Sequence, residues 1–264
     1  MGLKGKRAMQ LTAAGLDLTP LPGMARLAGA AAMAYYRKDA GVRLKADHSP
    51  LTLADEASND ILTRELLAAY PGIPVVSEES DNAPYGARRD APHVFIVDPL
   101  DGTREFLAAN GEFTVNIALV AAGRAAFGLL YAPCLDRLYL GGPGIGAWRQ
   151  EGGEEARAIA TVKPRPGEEP IVLLSRSHPD PDVEALISRF APYRAMAMGG
   201  ALKFAAVAEG AAHIYPRARA LHEWDLAAGQ AIVEGAGGSM AGLDGRPIVY
   251  NTEDLMAGPF LALA

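Results

Sequence analysis

A single cysteine, Cys134, in 264 residues excludes an internal disulfide framework and suits a reducing cytoplasm. No apolar run approaches the roughly 20 residues that a membrane-spanning helix needs. The alanine-rich stretch 24–36 is too short and is broken by Arg26. The basic opening 1–7 is not followed by an uninterrupted apolar core, so no secretory signal is expected. A cytoplasmic location follows, with peripheral association with the inner membrane left open. Positive charge is also scarce: 25 Lys and Arg face 31 Asp and Glu, a net charge of −6. That balance argues against a nucleic-acid polymer as partner, because such binding needs a basic face. A small anionic substrate still fits if bound metals invert the local field. His48, His93, His213 and His222 show no metal-ligand spacing and read as structural or solvent-facing. No internal repeat is visible.

What the chain does contain is acid at the ends of apolar segments. Residues 94–97 read as a buried strand, which places Asp98 at its carboxyl end, where open α/β sheets bind ligands. Pro99 rules out ladder pairing at its own position. Gly102 lets the backbone approach an anion, and Thr103 is expected to begin a helix whose free N–H groups favour phosphate. Residues 73–77 read as a second strand, delivering Glu78 and Glu79 at its end. Residues 221–225 lead into a helix, with Asp225 at the boundary, where a helix N-cap is the plainer role. Mg²⁺ takes oxygen ligands and few carboxylates, leaving its other positions to water and phosphate. Three segments that each end in an acid point to one shared metal site. No cationic cluster accompanies these motifs, so metal ions are the expected counter-charge.

The rest of the chain reads as a mixed α/β enzyme of one compact unit or two intimate subdomains, divided as 1–150 and 151–264. Helical spacing covers 53–69, with Leu53, Ala57, Ile61, Leu62, Glu65 and Leu66 on one face and Pro71-Gly72 as the stop. Residues 113–120 and 125–131 form an expected hairpin about Ala122-Gly123-Arg124, and 138–140 and 146–148 extend its sheet. Residues 150–170, rich in Glu, Gly and Pro, read as a strand-poor connection. Beyond them lie strand 171–175, helix 181–190, helix 199–209, strand 211–215 and helix 226–234. Residues before about 16 read as a loose extension.

Taken together, Glu78-Glu79, Asp98-Pro99-Leu100-Asp101-Gly102-Thr103 and Trp224-Asp225-Leu226-Ala227-Ala228-Gly229 resemble the inositol monophosphatase superfamily in order and spacing. The segments 45–52, 110–118, 175–178 and 208–210 are similar to its 3′(2′),5′-bisphosphate nucleotidase branch. The resemblance implies a five-layer αβαβα sandwich of the sugar-phosphatase type. It implies two or three Mg²⁺ ions held by Glu78, Asp98, Asp101, Asp225 and the Leu100 carbonyl, with Asp98 bridging. It also implies that Asp55 and Thr103 orient the attacking water, although Asp55 on its own reads as a solvated helix residue. The implied reaction is removal of the 3′-phosphate of 3′-phosphoadenosine 5′-phosphate, with Li⁺ sensitivity and a place in sulfur metabolism. Inositol or fructose phosphate hydrolysis is the alternative, because the metal motifs are shared.

For such a substrate, positioning and charge neutralisation carry most of the catalysis. Gly102 and Thr103 are expected at the phosphate. The loop of Ser175, Arg176, Ser177 and His178, at the carboxyl end of an apolar strand, is expected around the nucleotide. Lys203 and Arg217 are expected to assist there, each with the alternative of an ordinary surface cation. A monomer and a homodimer are both compatible with the sequence.

Overall fold

The strand His93–Asp101 is buried at every position from Val94 to Leu100. Its side chains alternate between two cores: Phe95 and Val97 face one, Val94 and Ile96 the other. A strand covered on both faces has no polar side, which explains its unbroken apolar run. The computed structural model containing it describes residues 11–38, 40–45 and 48–264. Residues 1–10 of the expected extension, and Ala46 and Asp47 of the segment 45–52, lie outside the described residues.

Seven strands form the larger sheet, in the order Arg157–Ile159, Gly146–Glu151, Arg137–Gly142, Arg124–Ala132, Thr114–Ala121, His93–Asp101, Val75–Ser77. Only the last pair is parallel. Five strands form the smaller sheet, in the order Arg194–Met198, Ile171–Ser175, Ile214–Arg217, Phe260–Leu263, Ser239–Gly242. The helices Leu21–Met33 and Leu53–Ala69 cover one face of the larger sheet through Leu21, Ala25, Leu62 and Leu66. Leu202–Ala208 and Ala227–Gly235 fill the space between the sheets, where Phe204 and Ile232 meet Val94 on one side and Phe260 on the other. Val183–Ile187 covers the far face of the smaller sheet through Val183 and Ile187. The result is the expected five-layer αβαβα sandwich. No helix among the described residues is long and apolar enough to cross a membrane.

Helix Leu53–Ala69 has the expected bounds but a different buried face. Thr52 caps it: its hydroxyl accepts from Ala54 N and Asp55 N, and Asp55 Oδ2 returns a bond to Thr52 N at 2.8 Å. The buried residues are Ala54, Asp55, Ser58, Asn59, Leu62 and Leu66, while Leu53 is exposed. Hydrophobic spacing misplaces the first turns because three of the inward groups are polar and have partners. Ser58 Oγ donates to Pro99 O at 2.7 Å, and Ser77 Oγ donates to Asn59 Oδ1 at 2.7 Å.

Other expectations shift for local reasons. Residues 150–170 are not strand-poor, since Arg157–Ile159 closes the edge of the larger sheet. The edge strand Arg194–Met198 is almost wholly exposed and carries no alternation to read. Helix 181–190 shortens to Val183–Ile187 followed by a 3₁₀ turn. Residues 11–15 are not a loose extension: Thr12–Ala13 pairs with Leu16–Asp17, and Leu11 is buried with its carbonyl accepting from Leu18 N.

The middle layer seats against the larger sheet at Gly128. A Cβ there would lie 2.0 Å from the Ala228 carbonyl oxygen, so helix and strand meet backbone to backbone. Gly128→Ala is expected to destabilise the protein by roughly 2–3 kcal/mol through forced separation of these elements. A urea melt checks it; an unchanged midpoint at unchanged slope overturns the close-contact account.

Candidate active site

Parallel pairing of Val75, Val76 and Ser77 with Phe95, Ile96 and Val97 makes Glu78 and Asp98 the next neighbours in the register. Two strands therefore end side by side in carboxylates. Asp98 still pairs with Asn116, the ladder then lapses at Pro99 and Leu100, and pairing resumes at Asp101 with Thr114. Pro99 thus interrupts the ladder without ending the strand. The bulge is held by Leu100 N donating to Asp98 Oδ1 at 2.9 Å and by the Ser58 bond to Pro99 O. Such an irregularity re-aims side chains, and it brings Asp101 beside Asp98. The third acid arrives from the middle layer. Asp225 ends the 3₁₀ turn Glu223–Asp225, directly before helix Ala227–Gly235. Its Oδ2 accepts from His222 N at 3.0 Å.

One carboxylate oxygen each from Asp98, Asp101 and Asp225 lie within 4.8 Å of one another. Burial and the neighbouring acids Glu78, Asp101 and Asp225 push the Asp98 carboxyl far above its ordinary range. Burial, Asp101 and Glu78 do the same to Asp225. Burial raises Asp101 to about 6 even though Lys203 opposes the shift. Asp98 Oδ2 is buried and has no hydrogen-bond partner among the described residues. Three converging carboxylates with an unsatisfied inward oxygen need positive charge, and an oxygen donor set of this kind fits a hard divalent cation.

Glu78 stands slightly apart. Lys45 Nζ donates to Glu78 Oε1 and to Glu79 Oε1, each at 2.6 Å. Burial works to lower the Lys45 ammonium, but the two carboxylates outweigh it and hold it above its ordinary value. Burial likewise outweighs Lys45 at Glu79 and raises that carboxyl to about 7. A cation therefore does sit among these motifs, contrary to the sequence expectation. Its position 33 residues upstream of Glu78 gives no local signal.

A cavity of about 420 Å³ joins these groups. Glu78, Asp98, Leu100, Asp101, Gly102, Thr103, Ser175, His178, Lys203, Arg217 and Asp225 all line it. Asp55 lies immediately behind, where its Oδ1 accepts from Thr103 Oγ1 at 3.3 Å. Burial raises the Asp55 carboxyl, and it is a buried residue rather than a solvated one. Lys203 is also buried, not a surface cation; its ammonium donates to Gly200 O at 2.6 Å and Met198 O at 3.4 Å, and burial lowers it to about 8. Arg217 lines the wall with a buried Nε that has no partner among the described residues.

Arg176 and Ser177 are not among the lining residues. The Arg176 guanidinium is taken up by a two-pronged pair with Glu112, at 2.7 and 2.8 Å, and by Ala197 O. The Ser177 carbonyl accepts from Arg104. Thr103 does begin a helix, but Thr103–Leu107 is only five residues long. His222, read as solvent-facing or structural, is exposed yet lines the cavity, with its ring stacked 4.4 Å from Trp224. Ser49, Arg104, Glu105 and Tyr215 also line it without having been expected.

Glu223, fully buried, fixes the Asp225 turn. It accepts from Asn251 N at 2.7 Å and from Thr252 N and Oγ1 at 2.8 and 2.5 Å. Arg88 in turn donates to Asn251 Oδ1 at 2.6 Å.

Comparison with known proteins decides the family. The model of the inositol monophosphatase family matches residues 19–263. This chain belongs to that family. Among curated members, 3′(2′),5′-bisphosphate nucleotidase CysQ of Escherichia coli K12 is 37% identical over 238 residues, covering 89% of this chain and 94% of the relative. The Shigella flexneri protein of the same name is 39% identical over the same shares. CysQ from Bacteroides thetaiotaomicron, a solved bacterial member, superposes with a TM-score of 0.78 at 34% identity, covering 91% of this chain and 94% of that one. Family members are metal-dependent phosphatases, and the acid cluster of this chain suits such chemistry.

The raised acids set a pH dependence. A carboxyl whose folded pKa exceeds its unfolded value favours folding at low pH, and the benefit is lost as pH rises through the folded value. Asp101, raised to about 6, places that loss near pH 6, with Asp98 and Asp225 acting in the same direction. In chelator-treated protein the melting temperature is expected to rise as the pH is lowered from about 7.5 to about 5.5, and to flatten with saturating Mg²⁺. A steady fall over that interval without metal overturns this account.

Proposed function

We propose that this chain is a divalent-metal-dependent phosphomonoesterase that removes the 3′-phosphate of 3′-phosphoadenosine 5′-phosphate, yielding AMP and phosphate. The observation that carries the reading is one cavity lined both by a carboxylate cluster and by two cations, the buried Lys203 and the half-buried Arg217. Relatives named bisphosphate nucleotidases, at 37–39% identity over most of the chain, support the substrate.

In this reading Asp98, Asp101, Asp225, Glu78 and the Leu100 carbonyl hold two or three Mg²⁺ ions. Bound ions of this kind supply charge neutralisation at the phosphate and lower the pKa of a coordinated water. Glu78 can turn to such an ion because Glu79 remains to keep Lys45, at 2.6 Å. Thr103 Oγ1 donates a hydrogen bond to Asp55 Oδ1, which leaves the lone pairs of the hydroxyl oxygen to accept a hydrogen bond from the attacking water. Asp55, fixed by Thr52 N and Oγ1, then takes up the proton as general base. Elsewhere along the cavity lining, Arg217, whose Nε has no partner among the described residues, and the loop residues Ser175 and His178 receive the second phosphate and the nucleoside. Arg176 contributes by holding Glu112 and the Ala197 carbonyl, which shapes that wall from outside.

Phosphate release from 3′-phosphoadenosine 5′-phosphate is expected to depend on Mg²⁺ and to exceed that from inositol 1-phosphate in kcat/KM. Asp98→Asn is expected to lower kcat by roughly 10³-fold or more, and Thr103→Val by about 10²-fold. A preference for inositol 1-phosphate rejects the substrate, and undiminished turnover by Asp98→Asn rejects the metal centre.

A further inference from the structure

Glu105 borders the same cavity but takes no part in the scheme above. It is only 2% exposed, and no hydrogen bond from a described residue reaches its carboxylate. Two glycines enclose it. A Cβ on Gly199 would stand 2.4 Å from Glu105 Cγ and 2.9 Å from Oε1, and one on Gly102 would stand 3.4 Å from Oε2. Both segments run beside the acid centre: Asp101 precedes Gly102, and a Cβ on Gly200, which follows Gly199, would lie 3.3 Å from Asp101 Oδ2. The carboxylate therefore lines the cavity near Asp101, one of the proposed metal ligands. The nearby ammonium of Lys203 does not satisfy it, since its hydrogen bonds go to Met198 O and Gly200 O.

An ionised carboxylate only accepts hydrogen bonds, and it repels phosphate oxygens. Whatever part of a substrate meets it must be a neutral donor close to the reacting phosphate. In a nucleoside 3′-phosphate the vicinal 2′-hydroxyl is such a donor, whereas the amino group of the base is at the far end of the molecule. Resting on the nucleotidase reading, we infer that Glu105 accepts a hydrogen bond from the hydroxyl vicinal to the hydrolysed phosphate and so selects ribonucleotides over their deoxy counterparts. The same contact serves a 2′-phosphate, whose vicinal hydroxyl is on C3′. A site that presents a buried acceptor to a substrate hydroxyl discriminates strongly against the analogue lacking it, because the acceptor is then buried unpaired.

The test compares adenosine 3′,5′-bisphosphate with 2′-deoxyadenosine 3′,5′-bisphosphate at saturating Mg²⁺. Wild-type protein is expected to favour the ribonucleotide by roughly 10–100-fold in kcat/KM. In Glu105→Ala that ratio is expected to fall to within about 3-fold, with turnover of the deoxy substrate kept near wild type. Glu105→Gln, which preserves shape and one acceptor, is expected to give an intermediate ratio and decides the matter if the alanine variant does not fold. Equal losses on both substrates, or a wild-type ratio near one, overturn the inference and leave Glu105 as a counter-charge for Lys203. No turnover of either bisphosphate by wild-type protein rejects the nucleotidase reading itself and takes this inference with it.

Discussion

Mutual repulsion among Asp98, Asp101 and Asp225 is the constraint that orders the rest of the molecule. Three crowded carboxylates, one buried and two half-buried, resist ionising together unless positive charge joins them. No single element brings them together. A strand interrupted at Pro99 supplies two, and a short turn ahead of a helix in the middle layer supplies the third. The segments that carry them are restrained by hydrogen bonds and not by a counter-charge: Ser58 on the Pro99 carbonyl, Leu100 N on Asp98, and the Glu223 contacts to the 251–252 backbone. The fold thus maintains an arrangement that electrostatics alone would disperse.

The layered packing explains how that restraint is achieved. Helix Ala227–Gly235 lies between both sheets, and its backbone contact at Gly128 leaves no room for a shift along the strand. Asp225 is therefore positioned by the centre of the molecule, while Glu78 and Asp98 are positioned by the register of two parallel strands. Around them the substrate wall is assembled differently. Lys203 and the Arg176–Glu112 pair hold the 197–200 backbone, while Ser175 and His178 of the loop line the cavity directly.

Much of this was legible before coordinates. The acids were marked by their position where apolar runs give way to charge, although the strand itself continues through Asp98 to Asp101. The helix Leu53–Ala69 was marked by its spacing and by the Pro71-Gly72 stop. Its inward face was not, since Asp55, Ser58 and Asn59 are buried by virtue of hydrogen bonds that only tertiary contacts reveal. Likewise Arg176 looked available as a free cation in a loop, and nothing near it in sequence points to Glu112. Lys45 and Glu105 went unassigned for the same reason. Their significance depends on what lies across space, and pattern along the chain carries no record of it.

Lys45 has a consequence for how ions enter. Its ammonium already occupies the Glu78 carboxylate, so on the proposed ligand set a divalent ion at Glu78 would replace a resident charge instead of filling an empty place. Loading at that corner would then be an exchange, with the Lys45 ammonium keeping Glu79 as its partner. The gain in positive charge at Glu78 is then smaller than the ion's own formal charge, and affinity at this corner reflects competition with a tethered amine as much as the strength of the oxygen ligands.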